Sequence, residues 1–254
     1  KKLLIFSKIK RDLKGPPFPV MVGYLGYNMI KFMEEIKLEN NDEIKIPDAV
    51  MIRPKLVAVF DNIKDTINIM TSIYPNKKIK AHEAYNKANL YLEKTIKKLN
   101  KDIKLDIISI KKNFKDIKFK SNYKKKEYFQ IIKKAKSYIK KGDIFQVVPS
   151  QRFKTKYNLD TISLYRSLRR LNPSPFLVNL NFEKFGLVAS SPEILVRLRN
   201  NKITIRPIAG TRKRGKNLNE DLKLSTDLLN DKKELAEHLM LLDLGRNDVG
   251  KVSK

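Results

Sequence analysis

Residues 175–210 read PFLVNLNFEKFGLVASSPEILVRLRNNKITIRPIAG. Apolar runs at 176–182, 187–190 and 194–199 predict three successive strands, and the Asn200-Asn201 pair predicts a tight turn into a fourth at 202–208. The last forty residues of the chain have the apolar spacing of helices. Runs of strands followed by runs of helices favour an α+β fold over alternating βαβ units.

The sequence before this stretch is also regular. Apolar side chains at 128–139 form one face of a predicted helix, which Gly142 ends. Residues 144–153 are predicted to be extended, with Pro149 at an edge or a bulge. A further helix, with leucines three or four residues apart, is predicted to end at Asn172.

The first half of the chain predicts a hairpin, a helix and a connector. Strand-like runs at 56–60 and 66–70 are separated by a turn-prone Asp-Asn pair, and residues 84–99 have helical periodicity. The stretch 97–126 contains twelve lysines and three aspartates. It predicts an exposed connector with at most a short strand at 107–110.

The composition excludes several classes of protein. The 254 residues carry 55 Lys+Arg against 27 Asp+Glu, a formal charge of +28, and there is no cysteine. A disulfide scaffold, a Cys-ligated metal site and a thiol nucleophile are therefore excluded, and the length is sufficient for a sizeable core. The longest uncharged run has 16 residues, too few to span a bilayer, so the cytoplasm is the expected location.

The high positive charge has two interpretations. It is typical of a basic nucleic-acid-binding module, which is the non-enzymatic alternative. However, most of the excess is lysine scattered through a chain rich in Ile and Asn, which is typical of an AT-biased genome. We therefore favour a solvated lysine surface, with no nucleic-acid partner and no membrane partner.

Two segments of the second half are candidates for a binding site. In the loop 208–215 (IAGTRKRG), Gly210 allows close backbone approach, Thr211 offers a hydroxyl, and three cations follow, which suits an anionic small molecule. On the following helix Glu234, Glu237 and His238 share a face, and two such carboxylates can hold Mg²⁺. A surface loop and a solvent-facing helix stripe are the alternatives.

Two further residues are candidates for chemistry. Glu193 follows an apolar strand that breaks at Pro192, where a carboxyl group could act as a general acid; a helix N-cap formed with Ser191 is the alternative. Gln146 is a neutral amide in the segment predicted to be extended, where an outward-facing strand residue is the simpler interpretation.

Five segments together resemble one family, the chorismate-utilising enzymes, and within it the synthase subunits of anthranilate synthase. The resemblance is carried, in order along the chain, by 142–152 (GDIFQVVPSQR), 172–176 (NPSPF), 190–193 (SSPE), 206–212 (RPIAGTR) and 237–248 (EHLMLLDLGRND). It implies a two-layer α+β fold in which large, mostly antiparallel sheets sandwich helices. It also implies that residues 1–120 form the N-terminal region, with a linker helix and a Lys-rich connector, and that residues 121–254 begin the chorismate-binding catalytic domain.

The resemblance implies a reaction and roles for the candidate residues. Chorismate and ammonia would give anthranilate and pyruvate, the first step of tryptophan biosynthesis. Glu237 would bind Mg²⁺ with Glu234 as its neighbour in the metal shell, and Glu193 would be the general acid. Gly210, Thr211 and Gln146 would bind the substrate in the chorismate pocket.

Two positions distinguish the members of this family. The isochorismate and salicylate synthases, which add water, carry a lysine base where this chain has Gln146. Aminodeoxychorismate synthase, the alternative in folate synthesis, typically carries a lysine where this chain has Ala209. A neutral amide and a methyl group cannot replace these lysines, so both positions favour anthranilate synthase.

The resemblance also implies partners. Ammonia would come from a glutamine amidotransferase subunit, because no cysteine is present to hydrolyse glutamine. Tryptophan would bind as a feedback inhibitor at Asn172, Pro173, Ser174, Pro175 and Phe176. The family's chain continues past Asp248 with an active-site histidine and a second metal carboxylate, and it begins with a Leu-Leu-Glu-Ser segment. We therefore expect a fragment that is inactive alone.

Overall fold

The computed structural model describes residues 21–37, 42–73, 78–102 and 117–254. The chain divides into two compact units, Lys1–Asp116 and Ile117–Lys254. The expected strand at 107–110 lies outside the described residues. None of the described helices is both long enough and apolar enough to cross a membrane.

The described part of the first unit contains two antiparallel strand pairs and one long helix. Its elements are β1 (Val22–Leu25), a 3₁₀ helix (Tyr27–Phe32), β2 (Ala49–Ile52), β3 (Leu56–Asp61), β4 (Thr66–Thr71) and α1 (Ala81–Leu99). Strand β1 pairs with β2, and β3 pairs with β4. The predicted hairpin and helix are both confirmed.

The β3–β4 turn explains why the sequence predicts this hairpin. The carboxylate of Asp61 accepts hydrogen bonds from the backbone N–H groups of Ile63 and Lys64, at 3.0 and 3.1 Å. Asp65 then adopts a left-handed conformation with φ of 50°. Short acidic side chains that bond to their own backbone favour such turns.

The second unit contains three strand pairs and four helices. In chain order the elements are β5 (Lys120–Ser121), α2 (Lys125–Lys141), β6 (Phe153–Lys154), α3 (Thr161–Leu171), β7 (Phe176–Asn181), β8 (Gly186–Ser191), β9 (Arg197–Arg199), β10 (Lys202–Thr204), α4 (Leu218–Asn230) and α5 (Lys232–Val252). The pairs β5–β6, β7–β8 and β9–β10 are all antiparallel. The predicted helices and strand order are confirmed.

Some predicted strands are shorter than expected. Residues 144–152 have no regular secondary structure, so the extended segment is a strand only from Phe153. The predicted strands at 194–199 and 202–208 pair only between Arg197 and Thr204. Apolar character predicts a strand, but a ladder forms only where a partner backbone is present.

Asp231 and Glu234, three residues apart, have the sequence spacing of a capping pair at the start of α5, and half of that pair forms. Asp231 caps the helix, because its Oδ1 accepts hydrogen bonds from the N–H groups of Lys233 and Glu234, at 3.0 and 3.2 Å. The reciprocal bond from Glu234 does not form, because the N–H of Asp231 already donates to the carbonyl of Leu228 at the end of α4. The Glu234 carboxylate is therefore available for other contacts.

The expectation of a sizeable core is wrong for the described residues. Among them no hydrophobic side chain is buried, and Gly245 is the one fully buried residue. Phe145 and Leu195 are each 90% exposed. Each described sheet has two strands, and two-stranded sheets cannot cover the apolar faces of several helices.

The end of α2 allows a test of local backbone conformation. Gly142 has φ of +79°, and a Cβ atom added there would meet nothing within 4 Å. We expect Gly142→Ala to lower the free energy of unfolding by about 1 kcal/mol through conformation alone. Gly250→Ala, also in open space but inside α5, is the control and should raise stability by up to about 1 kcal/mol. Urea denaturation of both variants checks this, and equal shifts would contradict the left-handed helix end.

Candidate functional site

Helix α5 carries the side chains around which the site is built. Glu234, Glu237, Leu241, Gly245 and Asp248 are separated by three or four residues, so they lie along one face of this helix. Glu234 and Glu237 are both half-buried. The expectation that two carboxylates share one face of a helix is therefore confirmed.

Gln146 lies against one of these carboxylates. Its Nε2 donates a hydrogen bond to Oε1 of Glu237 at 3.2 Å, although the two residues are 91 positions apart in the chain. The amide orients the carboxylate through one oxygen and adds no charge to the site. Gln146, predicted to contact the substrate, therefore lies beside Glu237, the predicted metal ligand. The backbone at Gln146 has no regular secondary structure.

The loop after β10 approaches the start of α5 closely. Gly210 has φ of +77°, and a Cβ atom added there would lie 3.0 Å from Oε2 of Glu234 and 3.1 Å from Cδ1 of Leu228. Glycine is therefore favoured by the backbone conformation, and the space for a side chain is tight. Thr211, beside it, is exposed. The structure thus brings Gly210 and Glu234 together, as the sequence analysis expected of one site.

Arg212 does not face outward from this loop. Its Nε and Nη2 donate to Oδ2 of Asp227 and of Asp231, both at 2.7 Å, and its Nη1 lies 4.0 Å from Oε1 of Glu234. These hydrogen bonds, first that to Asp227, raise the pKa of Arg212 above its ordinary value. The hydrogen bond from Arg212 is likewise the largest cause that lowers the pKa of Asp231.

The expectation that the loop cations await an anionic ligand is wrong for two of the three. Arg212 is neutralised by protein carboxylates, and Arg214 pairs with Asp221 at 2.8 Å. The acidic residues of α4 and its C-cap, 7 to 19 positions away in sequence, explain the difference. The prediction was based on the loop alone and did not include these carboxylate partners.

Glu193 lies at a cavity of about 480 Å³ in the second unit. The hydroxyl of Ser191 donates to the carbonyl of Glu193 and accepts from its N–H, and β9 rather than a helix follows. The alternative of a helix N-cap is therefore wrong. Besides Glu193, the walls include Pro207 and, from α5, Leu241, Leu244, Gly245 and Asp248.

The cavity reaches the part of α5 that follows Glu237. Glu237 does not line the cavity, but it precedes Leu241 by one helical turn, a rise of about 6 Å along the axis. Asp248, a second carboxylate at the cavity, was not assigned a role from the sequence. Its spacing of seven residues from Leu241 would have placed it on the same face.

The carboxylates of α5 supply some of the ligands that a magnesium ion needs. Within the described ranges no three His, Asp or Glu side chains converge closely enough to hold a metal. Glu234 and Glu237, less than one turn apart, supply two oxygen donors of the type that Mg²⁺ accepts while water and substrate complete its octahedron. The donor set therefore fits a magnesium site that also needs other ligands.

Comparison with known proteins agrees with this fold. The family model described as chorismate binding enzyme matches residues 3–254, and the chain belongs to this family. The expected chorismate-utilising fold is thereby confirmed.

Individual relatives are also similar. Anthranilate synthase component 1 of Cereibacter sphaeroides is 45% identical over 99% of this chain and 50% of the relative, and that of Aquifex aeolicus is 43% identical over 92% and 47%. The crystal structure of anthranilate synthase component I from Streptococcus pneumoniae TIGR4 matches with a TM-score of 0.84 and 30% identity, over 98% of this chain and 54% of that one. The chain spans about half the length of the curated relatives that it matches. Aminodeoxychorismate synthase is not favoured as the alternative.

The contact between Gly210 and Glu234 can be measured against a matched glycine. Gly210→Ala and Gly142→Ala impose the same left-handed strain, but only the first also drives a methyl group towards a carboxylate and a leucine. We expect Gly210→Ala to cost about 1–3 kcal/mol more than Gly142→Ala in urea denaturation. Equal losses would contradict the close approach of the loop to α5.

The charge of Asp231 predicts a pH dependence. Its pKa lies below the ordinary value of 3.8, so its ionised form contributes stability above that value and this contribution is lost as pH falls through the folded-state pKa. Asp231→Asn keeps a good N-cap but removes the charge. We expect its urea midpoint to lie below that of the unmodified chain at about pH 7, and the difference to shrink as the pH falls below 3.8. A gap that is constant with pH would contradict the ion pair with Arg212.

Proposed function

We propose that this chain is the chorismate-binding part of an anthranilate synthase, forming anthranilate and pyruvate from chorismate and ammonia in the first step of tryptophan biosynthesis. The observation that carries the proposal is the hydrogen bond from Gln146 to Glu237, in a chain whose relatives are named anthranilate synthase component 1. A lysine base for activating water would stand at this position in a water-adding relative. An amide serves a reaction whose nucleophile, ammonia, needs no deprotonation.

The residues of α5 would hold the cofactor and the substrate. Glu237 and Glu234 are the proposed ligands of Mg²⁺, which when bound supplies a positive charge that holds and polarises a substrate carboxylate. Gln146 keeps one Glu237 oxygen in place, and Gly210 presents its backbone beside Glu234. Thr211 would add a hydroxyl donor to the chorismate pocket.

Glu193 is proposed as the general acid. Ammonia forms a bond to C2 of the ring while the C4–oxygen bond breaks, and the carboxyl group of Glu193 gives its proton to the departing oxygen, which leaves as water. Loss of the C2 proton and of pyruvate then makes the ring aromatic. Glu193 lines a cavity that includes Leu241, one helical turn after Glu237 on α5, and this position supports the role.

The proposed partners follow from the same reaction. A glutamine amidotransferase subunit would supply ammonia, since the chain has no cysteine. The segment Asn172–Phe176 is the proposed tryptophan-binding site. The carbonyl of Asn172 accepts a hydrogen bond from Ser190 at 2.8 Å, and Phe176 pairs with Ser191 in the β7–β8 ladder. Because Ser191, the last residue of β8, bonds to Glu193, tryptophan bound there would act on the strand that ends two residues before the general acid.

The function is tested on the protein encoded by the complete reading frame that contains this chain. With chorismate, Mg²⁺ and an ammonium salt, we expect anthranilate fluorescence. Glu193→Gln should lower kcat by roughly 10²- to 10⁴-fold with little change in KM for chorismate. Glu183→Gln, on the exposed β7–β8 turn, is the matched control and should retain full activity. Formation of 4-aminobenzoate after addition of a lyase, with no anthranilate, would refute the proposal.

A further inference from the structure

A second cavity lies in the first unit, where the β3–β4 hairpin meets helix α1. Its volume is about 470 Å³, within the range that is usual for small-molecule sites. Its described walls come from the residue before β3, from the end of β4 and from one face of α1. None of the residues to which the proposed function gives a role lines this cavity.

Three exposed lysines line this cavity. Lys87, Tyr91 and Lys94 are four and three residues apart, so they share one face of α1, and Lys55 approaches from the start of β3. The Nζ of Lys55 lies 4.7 Å from the centre of the Tyr91 ring. Among the described residues that form the walls none is acidic, so no carboxylate of the walls neutralises the three charges.

The interior of the cavity is mostly apolar, and it contains one unused hydroxyl group. Ile79 and Ala84 are half-buried there. The hydroxyl of Thr71 donates to the carbonyl of Lys55 at 2.8 Å, so it is already used. The Oγ of Ser72 is buried and has no hydrogen-bond partner in the described part of the chain. Because a buried polar atom without a partner lowers stability, this hydroxyl calls for an explanation.

We propose that this cavity binds a small organic anion, with the negative group at the three lysines and the apolar body against α1. An inorganic anion would leave the apolar walls without a partner, and a neutral molecule would leave the lysine charges unpaired. Apolar walls with a few converging polar groups are typical of sites for molecules that have both parts. The inference is independent of the proposed function, since the two sites share no residue.

Binding involves one adjustment, at Ser72. Its Oγ is buried in the present rotamer, although the residue as a whole is half-buried and lines the cavity. Serine has three staggered χ1 positions, and rotation to another one can turn the hydroxyl towards a ligand. The hydroxyl then donates to an anionic oxygen, and such a charge-assisted hydrogen bond is stronger than one between neutral groups. The Oγ of Ser72 thereby gains a partner in the bound state.

The test uses benzoate as the probe and the protein encoded by the complete reading frame that contains this chain. A ligand-observed NMR titration at constant ionic strength should give saturable binding, with a Kd on the order of 1 mM for a ligand of this size. Benzyl alcohol lacks the charge and inorganic phosphate lacks the apolar body, so each should bind at least about 5-fold more weakly. Absence of saturable benzoate binding, or equally tight binding of either comparison molecule, overturns the inference.

Matched pairs of lysines on α1 locate the binding site. The double variant Lys87→Gln and Lys94→Gln should raise the Kd for benzoate by about 3- to 10-fold, because two of the three cations are lost. Lys97 and Lys98 are also exposed on α1 but do not line the cavity, so their double substitution by Gln should leave the Kd unchanged. Equal changes in the two double variants would assign binding to the overall positive charge and overturn the inference.

Ser72→Ala gives a readout that a purely structural role would not give. The substitution removes a buried hydroxyl without a partner, so the Tm in the absence of benzoate should stay the same or rise by up to about 3 °C. The Kd for benzoate should nevertheless rise by about 3- to 10-fold, because the ligand loses a charge-assisted donor. A lower Tm, or an unchanged Kd, would contradict the role of Ser72 and overturn the inference as stated.

Discussion

The carboxylate of Asp231 joins the elements on which the site depends. The backbone N–H of Asp231 donates a hydrogen bond to the carbonyl of Leu228 at the end of α4. Its Oδ1 accepts two backbone hydrogen bonds at the start of α5, and its Oδ2 accepts a hydrogen bond from Arg212 in the loop after β10. Two helices and a loop are therefore fixed relative to each other by the backbone and side chain of one residue. The direction of α5, and with it the placement of Glu234 and Glu237, follows from this junction.

Local chemistry explains what the sequence could predict. The β3–β4 and β9–β10 turns depend on Asp61 and on the Asn200-Asn201 pair, which bond to their own backbone or adopt positive φ within a few residues. The helices follow from apolar periodicity, and the end of α2 follows from Gly142. The shared face of Glu234 and Glu237 is a direct consequence of helical spacing.

Contacts between distant segments explain what the sequence could not predict. Gln146 reaches Glu237 across 91 residues from a segment without regular structure, and the sequence assigned it to a strand. Arg212 was grouped with two neighbouring cations because its carboxylate partners lie on helices that only tertiary structure brings near. Asp248 received no role because the cavity that it lines is formed by three separate segments.

The exposed apolar surface is consistent with a chain that covers about half the length of its relatives. Each described sheet has only two strands, while the chain matches 54% of the solved anthranilate synthase component I from Streptococcus pneumoniae. Strand edges and apolar helix faces that are unpaired here are those that larger sheets would use. A site on α5 can nevertheless be described, because its local partners lie within the second unit.

Gly245 has a mechanical consequence for α5. A Cβ atom at this position would lie 3.3 Å from Cγ of Pro207 and 3.5 Å from Cγ2 of Ile205, so the helix backbone rests almost directly on the segment that follows β10. This point of support lies between Glu237 and Asp248. If α5 tilts about this contact, the part of the helix before Gly245 and the part after it move in opposite directions. The two ends of this helix face therefore cannot be adjusted independently.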